Sequence, residues 1–151
     1  MHLLQGGWTA WSGFGERSTE VGPAPPGDLV VGAPSGALRV DAAWVVAHLE
    51  DPAVALVDAR SADEFAAGHI PGARNVDWHA NVVDGHLLGR EELAQLYEGL
   101  DPGSTVVTYC KSGMRASLSY LVLRELGFAD VRLYDGSWNE WGAQPSFPQE
   151  M

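Results

Sequence analysis

The sequence predicts an α/β domain with a mostly parallel central sheet and helices on both faces. Three observations lead there. The runs AVALVDA (53–59) and TVVTYC (105–110) are apolar almost throughout, as expected of strands buried on both sides. From residue 38 onward, strand-like and helix-like segments alternate regularly. The length of 151 residues suits one ordinary domain and not comfortably two.

The elements follow in order. Residues 20–37, EVGPAPPGDLVVGAPSGA, are rich in Pro and Gly and read as an extended linker. Asp41 can cap a helix over about 42–50, where Trp44, Val45, His48 and Leu49 recur at helical spacing. The run 53–59 is a strand. SADEFAAG (61–68) opens on Ser61 with an acidic first turn and closes on Gly68, so it is a short helix. ARNV (73–76) is a short strand and GREELAQLYEGL (89–100) a helix. After the strand 105–110, MRASLSYLVLRELGF (114–128) is a helix that ends near Gly127, and DVRLYDG (130–136) is a last strand and turn.

Composition limits the function. The apolar fraction of 46% can supply a core, and no window holds the roughly 20 apolar residues of a membrane span. The start, MHLLQGGWTAW, lacks the basic and apolar regions of a secretion signal, and a cytoplasmic location is the default expectation. A net charge of −11 argues against nucleic acid and anionic membranes as partners. An anionic substrate would need local positive charge to overcome it. The five histidines (His2, His48, His69, His79, His86) show no close metal-ligand spacing, and one cysteine builds neither a disulfide nor a cysteine-rich zinc site. No metal or cofactor is expected.

That cysteine, Cys110, falls at the carboxyl end of a predicted strand and just before a helix, where ligands bind in α/β sheets. Unpaired N–H groups and the helix dipole favour a thiolate there, and Lys111 and Arg115 add positive charge. Gly113 permits a tight turn that converges several N–H groups on one point. A buried, inert cysteine is the bland alternative. The polar neighbours Lys111, Ser112 and Arg115 and the strand-end position weigh against it.

A gapless internal repeat joins the two ends of the chain. LLQGGWTAW (3–11) aligns with LYDGSWNEW (133–141), with Leu3/Leu133, Gly6/Gly136, Trp8/Trp138 and Trp11/Trp141 identical. Residues 1–12 thus read as the tail of a preceding, related domain.

Three motifs carry a family resemblance. CKSGMR (110–115) resembles the active-site loop Cys-x-x-Gly-x-Arg/Thr of rhodanese-type sulfurtransferases. VDARSADEFAAGHIPGA (57–73) is similar to the family's upstream signature, and YDGSWNEWG (134–142) to its C-terminal one. They occur in the family's order, and the resemblance covers about 37–148. It is strongest to the C-terminal, catalytic half of tandem thiosulfate or 3-mercaptopyruvate sulfurtransferases. Residues 1–12 then correspond to the end of the preceding half, 13–36 to the linker, and 37–148 to a catalytic, rhodanese-like domain.

The resemblance implies that Cys110 takes sulfur from a small anionic donor and passes it, as a persulfide, to a thiol or cyanide. Lys111, Ser112, Gly113, Met114 and Arg115 would bind substrate through the loop. Lys111 favours thiosulfate, since mercaptopyruvate enzymes tend to have Gly at that position. Tandem enzymes carry an arginine four residues after Arg60, where this chain has Glu64, and many have Thr where it has Arg115. Asp58 and Arg60 lie on the Cys110 edge, and bracing of each other and the loop is favoured over direct participation. Ser112 either donates to substrate or caps the helix. His69, Trp138 and Trp141 are expected to be structural. Two other classes stand beside the transferase: a phosphatase or arsenate reductase on the same fold, disfavoured by only four residues between Cys110 and Arg115, and a non-catalytic binding module. Exposed apolar residues in 1–12 predict weak order there and a tendency to self-associate.

Overall fold

A computed structural model describes residues 4–15, 18–20, 22, 23, 27 and 38–151. Most of the predicted linker, and Leu3 of the repeat, lie outside the described residues. The elements are α1 (Gly7–Phe14), β1 (Arg39–Val40), α2 (Ala42–Ala47), β2 (Val54–Asp58), α3 (Ala62–Ala66), β3 (Arg74–Asn75), a 3-10 turn (Trp78–Asn81), β4 (Val82–Val83), β5 (His86–Leu87), α4 (Arg90–Leu96), β6 (Thr105–Tyr109), α5 (Met114–Leu126), β7 (Asp130–Tyr134) and α6 (Ser137–Trp141). Five strands form one sheet in the order β1-β7-β6-β2-β3, every neighbour parallel. The α/β expectation therefore holds.

The apolar strands are continuous because successive side chains serve opposite faces. Val57, Val106 and Val131 enter a core with Leu93, Val122, Leu123 and Phe128, beneath α4 and α5. Leu56, Val107 and Tyr134 enter the opposite core with Val45, Ile70 and Trp141, beneath α2 and α6.

Helix ends follow local chemistry. The Asp41 carboxylate accepts from the Trp44 N–H at 2.8 Å and starts α2. His48 then approaches the Trp44 carbonyl with Nδ1 at 2.7 Å, and α2 stops at Ala47, short of the expected residue 50. Ser61 and Glu64 form a reciprocal capping box on α3. Gly127, at φ 103°, ends α5 as expected. Helix α4 is shorter than 89–100 because the chain turns through Tyr97, whose hydroxyl donates to Asn81 Oδ1 at 2.8 Å.

The sequence reading assigns no element to 77–88, where the 3-10 turn and the β4–β5 hairpin form. Asp84 and Gly85 both have positive φ, 49° and 77°, as the Asp-Gly turn of a tight hairpin requires. Both copies of the repeat form helices that begin after the matched glycine. Their surroundings differ. Trp141 is fully buried and donates through Nε1 to the Pro148 carbonyl, while Leu4, Trp8, Trp11 and Phe14 are exposed. Within the N-terminal segment the helix α1 runs over Gly7–Phe14. Gln5 Oε1 accepts from the Leu87 N–H at 3.1 Å and ties the segment to β5.

Candidate active site

The three central strands end together, and the site is built on their carboxyl edge. Asp58, the last residue of β2, is in register with Tyr109, the last residue of β6. Cys110 follows at once, only 1% exposed, among Ala59, Ala116, Trp78 and Leu133. Four residues later the chain enters α5. The turn needs Gly113, at φ 79°. A Cβ there would come within 2.5 Å of Asp135 Oδ1 and 3.1 Å of the Asp135 carbonyl.

The loop is held from beneath by the β7–α6 turn. Ser137 Oγ accepts from the N–H groups of Cys110 (3.2 Å) and Gly113 (2.9 Å), and donates to the Tyr134 carbonyl (2.9 Å). The N–H groups of Trp138 and Asn139 donate to the carbonyls of Cys110 (2.9 Å) and Lys111 (3.0 Å). Ser137 is fully buried and holds φ 54°, an uncommon value for serine. Sequence reasoning missed it. Its only signal is its place between Gly136 and Trp138 in the repeated motif.

The Ser137 bond revises the reading of Gly113, and the helix start removes one of the two alternatives for Ser112. The Gly113 N–H is turned to Ser137 and takes no part in a cradle, so the contribution of Gly113 is the turn itself. Ser112 does not cap α5. The N-cap is Gly113, with no side-chain capping bond. Among the described residues, the N–H groups of Lys111, Ser112, Met114 and Arg115 have no protein acceptor. They stand unpaired at the start of α5, a helix end that favours an anion.

Asp58 and Arg60 are bonded to each other. Arg60 donates to the Asp58 carboxylate through Nε (2.9 Å) and Nη2 (2.6 Å), and to the Gly68 carbonyl at 2.7 Å. Its guanidinium lies over the Trp138 ring, 4.5 Å from the centroid. Both charged side chains are buried, so the pair ties β2, the Gly68 turn and α6 together. His69 approaches the Phe65 carbonyl and Glu150 in the same turn.

The two departures from the tandem-enzyme pattern meet in space. Glu64 on α3 receives Arg115 of α5 in a two-pronged ion pair, Nη1 to Oε2 at 2.6 Å and Nη2 to Oε1 at 2.9 Å. Ser61 adds its N–H and hydroxyl to Oε2. The hydrogen bond from Arg115, against the cost of burial, holds the Glu64 carboxyl down at about 2. Glu64 in turn raises Arg115 above the ordinary guanidinium value, and the Cys110 sulfur contributes in the same direction.

Lys111 is the chain's one lysine, and it is exposed. Every other lysine or arginine side chain among the described residues has a carboxylate or carbonyl partner. In a chain of net charge −11, the one uncommitted lysine or arginine among them adjoins the one cysteine. Met114, in the same loop, is also exposed.

A family model described as the rhodanese-like domain matches residues 41–144. The chain belongs to the rhodanese-like family. A thiosulfate sulfurtransferase of Azotobacter vinelandii is 34% identical over 99% of this chain and 59% of its own length. A protein of Pseudomonas aeruginosa named "Probable 3-mercaptopyruvate sulfurtransferase" is 38% identical over 98% and 57%. Among solved structures, the crystal structure of the 3-mercaptopyruvate sulfotransferase SseA from Escherichia coli superposes with a TM-score of 0.64 at 32% identity, over 70% of this chain and 44% of that one. The chain thus spans rather less than two thirds of the curated relatives it matches. Among the described residues, no helix of this rhodanese-like chain is long and apolar enough to cross a membrane.

Proposed function

We propose that the chain is a sulfurtransferase that carries sulfane sulfur from thiosulfate to a thiol or cyanide on Cys110. The observation that carries this reading is the placement of Cys110 at the strand end, with unpaired loop N–H groups and the uncommitted Lys111 beside it. The Cys110 thiolate attacks the outer sulfur of thiosulfate. A new S–S bond forms on Cys110, the donor's S–S bond breaks, and sulfite leaves with that bonding pair. The remaining persulfide is anionic, and the free N–H groups of 111, 112, 114 and 115 stabilise it. An acceptor thiolate or cyanide then attacks the outer sulfur and restores the Cys110 thiolate. Burial of Cys110 favours a donor that offers a terminal sulfur. Thiosulfate carries its charge on that sulfur and on the sulfonate oxygens two bonds away, close to the atom that Lys111 adjoins.

Mass spectrometry after thiosulfate treatment tests the reading. The native chain gains one sulfur, about 32 Da, and Cys110→Ser gains none. Sulfur retained by the serine variant would remove Cys110 as the carrier. 3-Mercaptopyruvate is the second reading, favoured by the names of the Pseudomonas and Escherichia relatives. Lys111→Gly separates the two. It raises the thiosulfate KM several-fold, by about 1 kcal/mol, and affects mercaptopyruvate less. We further propose that residues 1–12 are the end of a preceding rhodanese-like domain, on the strength of the matched helices after Gly6 and Gly136.

A further inference from the structure

We infer that Glu64 sets the charge selectivity of the Cys110 site. Its carboxylate cancels Arg115, so that Lys111 is left as the one net positive side chain of the Cys110 loop. The inference rests on the sulfurtransferase reading for its substrate, but not for its physical content.

Two adjacent parallel strands, β2 and β6, each lead into a helix at the same sheet edge. Glu64 is in the first turn of α3 and Arg115 in the first turn of α5, so each start contributes one member of the pair. Arg115 closes the loop that Cys110 opens, so the pair borders the loop of the reacting atom. Both terminal nitrogens of Arg115 are committed to Glu64, at 2.6 and 2.9 Å. Glu64 is itself anchored by Ser61 through the capping box. A free Arg115 would give the loop two cations, suited to a donor with two separated anionic groups. With Arg115 neutralised, the loop presents one cation and N–H dipoles. That suits a compact anionic head attached directly to the transferable sulfur, and it disfavours donors that need a second cationic contact.

The test measures the charge preference of Cys110 without any sulfur donor. Rates of alkylation by anionic iodoacetate and neutral iodoacetamide are followed by intact mass. Glu64→Gln keeps the shape and removes one negative charge. The iodoacetate-to-iodoacetamide ratio should rise about three- to tenfold, the effect of one unit charge a few ångströms away in a partly solvated site. Adding Arg115→Gln should bring it back towards the native ratio. Arg115→Gln alone leaves Glu64 bare and should lower the ratio, which keeps the test usable if Glu64→Gln does not fold. With thiosulfate as donor, Glu64→Gln should lower KM with kcat kept. A folded Glu64→Gln chain with an unchanged ratio would overturn the inference. So would a fall in kcat at constant KM, which would make Glu64 only a mount for Arg115. Failure of both reagents to reach Cys110 before unfolding would also overturn it. A native chain that gains no sulfur from thiosulfate, yet shows the predicted ratios, would sink the proposed activity and leave the charge selectivity standing.

Discussion

Removing the Ser137 hydroxyl is predicted to loosen the Cys110 loop at a measurable cost in stability. In Ser137→Ala the N–H groups of Cys110 and Gly113 lose their shared acceptor, and the Tyr134 carbonyl loses a donor. The site is fully buried, so water does not replace the hydroxyl without rearrangement. A buried donor left unpaired costs about 1–3 kcal/mol. Some relaxation of the loop offsets part of this, and a total of about 2–4 kcal/mol is expected. At about 2–4 °C per kcal/mol, the thermal midpoint falls by about 5–15 °C. Ser137→Gly separates the hydroxyl from the backbone. Glycine tolerates the φ of 54° without strain but also lacks the acceptor, so it should lose less than alanine and still fall below the native chain. Calorimetry gives the stability, and the rate of thiosulfate-dependent sulfur loading on Cys110 gives the loop geometry, which should decline in both variants. An alanine variant with an unchanged midpoint and loading rate would refute the claim that this hydroxyl organises the loop.

Three further outcomes are predicted together. Asp58→Ala leaves the Arg60 guanidinium buried without its counter-ion and should cost about 3–5 kcal/mol in urea unfolding, whereas a loss below about 1 kcal/mol would show that the Trp138 ring and Gly68 carbonyl suffice. Glu64 has a folded-state carboxyl held at about 2 against an ordinary 4.5, so its contribution to stability is complete above about pH 4.5 and is lost as pH falls towards 2. The native chain should therefore lose more stability than Glu64→Gln across that window, and parallel acid-unfolding curves would contradict it. Deleting residues 1–36 should leave the thermal transition and the sulfur loading nearly unchanged and make the chain more monomeric in light scattering. A large drop in midpoint would instead make α1 integral to the domain.

The parts of the fold with strong local signals are legible in the sequence. Strands β2 and β6 announce themselves by unbroken apolar runs, α5 by its length and by Gly127, and α3 by Ser61 and Glu64 of the capping box. Cys110 is singled out in the sequence because polar residues follow it in the chain at a strand end, although in the fold it packs among apolar side chains. What escapes is set by distance along the chain. Glu64 and Arg115 read as two unrelated departures from a pattern, and only the parallel pairing of β2 with β6 brings them together as one ion pair. The role of Ser137 is invisible for the same reason, since its partners are Cys110, Gly113 and a nearby carbonyl in a conformation that serine rarely adopts. The two-residue strands of the β4–β5 hairpin are too short for periodicity, although their Asp-Gly turn is a usable sign.

The adjacency of the one lysine to the one cysteine has a practical side. In most proteins an amine-reactive label scatters over many positions and a thiol-reactive label finds another set. Here the two chemistries address neighbouring residues of one turn, their Cα atoms about 3.8 Å apart. Apart from the α-amino group, every acylating dye, affinity handle or immobilisation surface that captures this chain by a lysine captures it by the rim of Cys110. Amine coupling to a sensor chip would therefore mask the very residue it was meant to display, while a bifunctional amine–thiol reagent of short span would staple the loop shut at a single defined place.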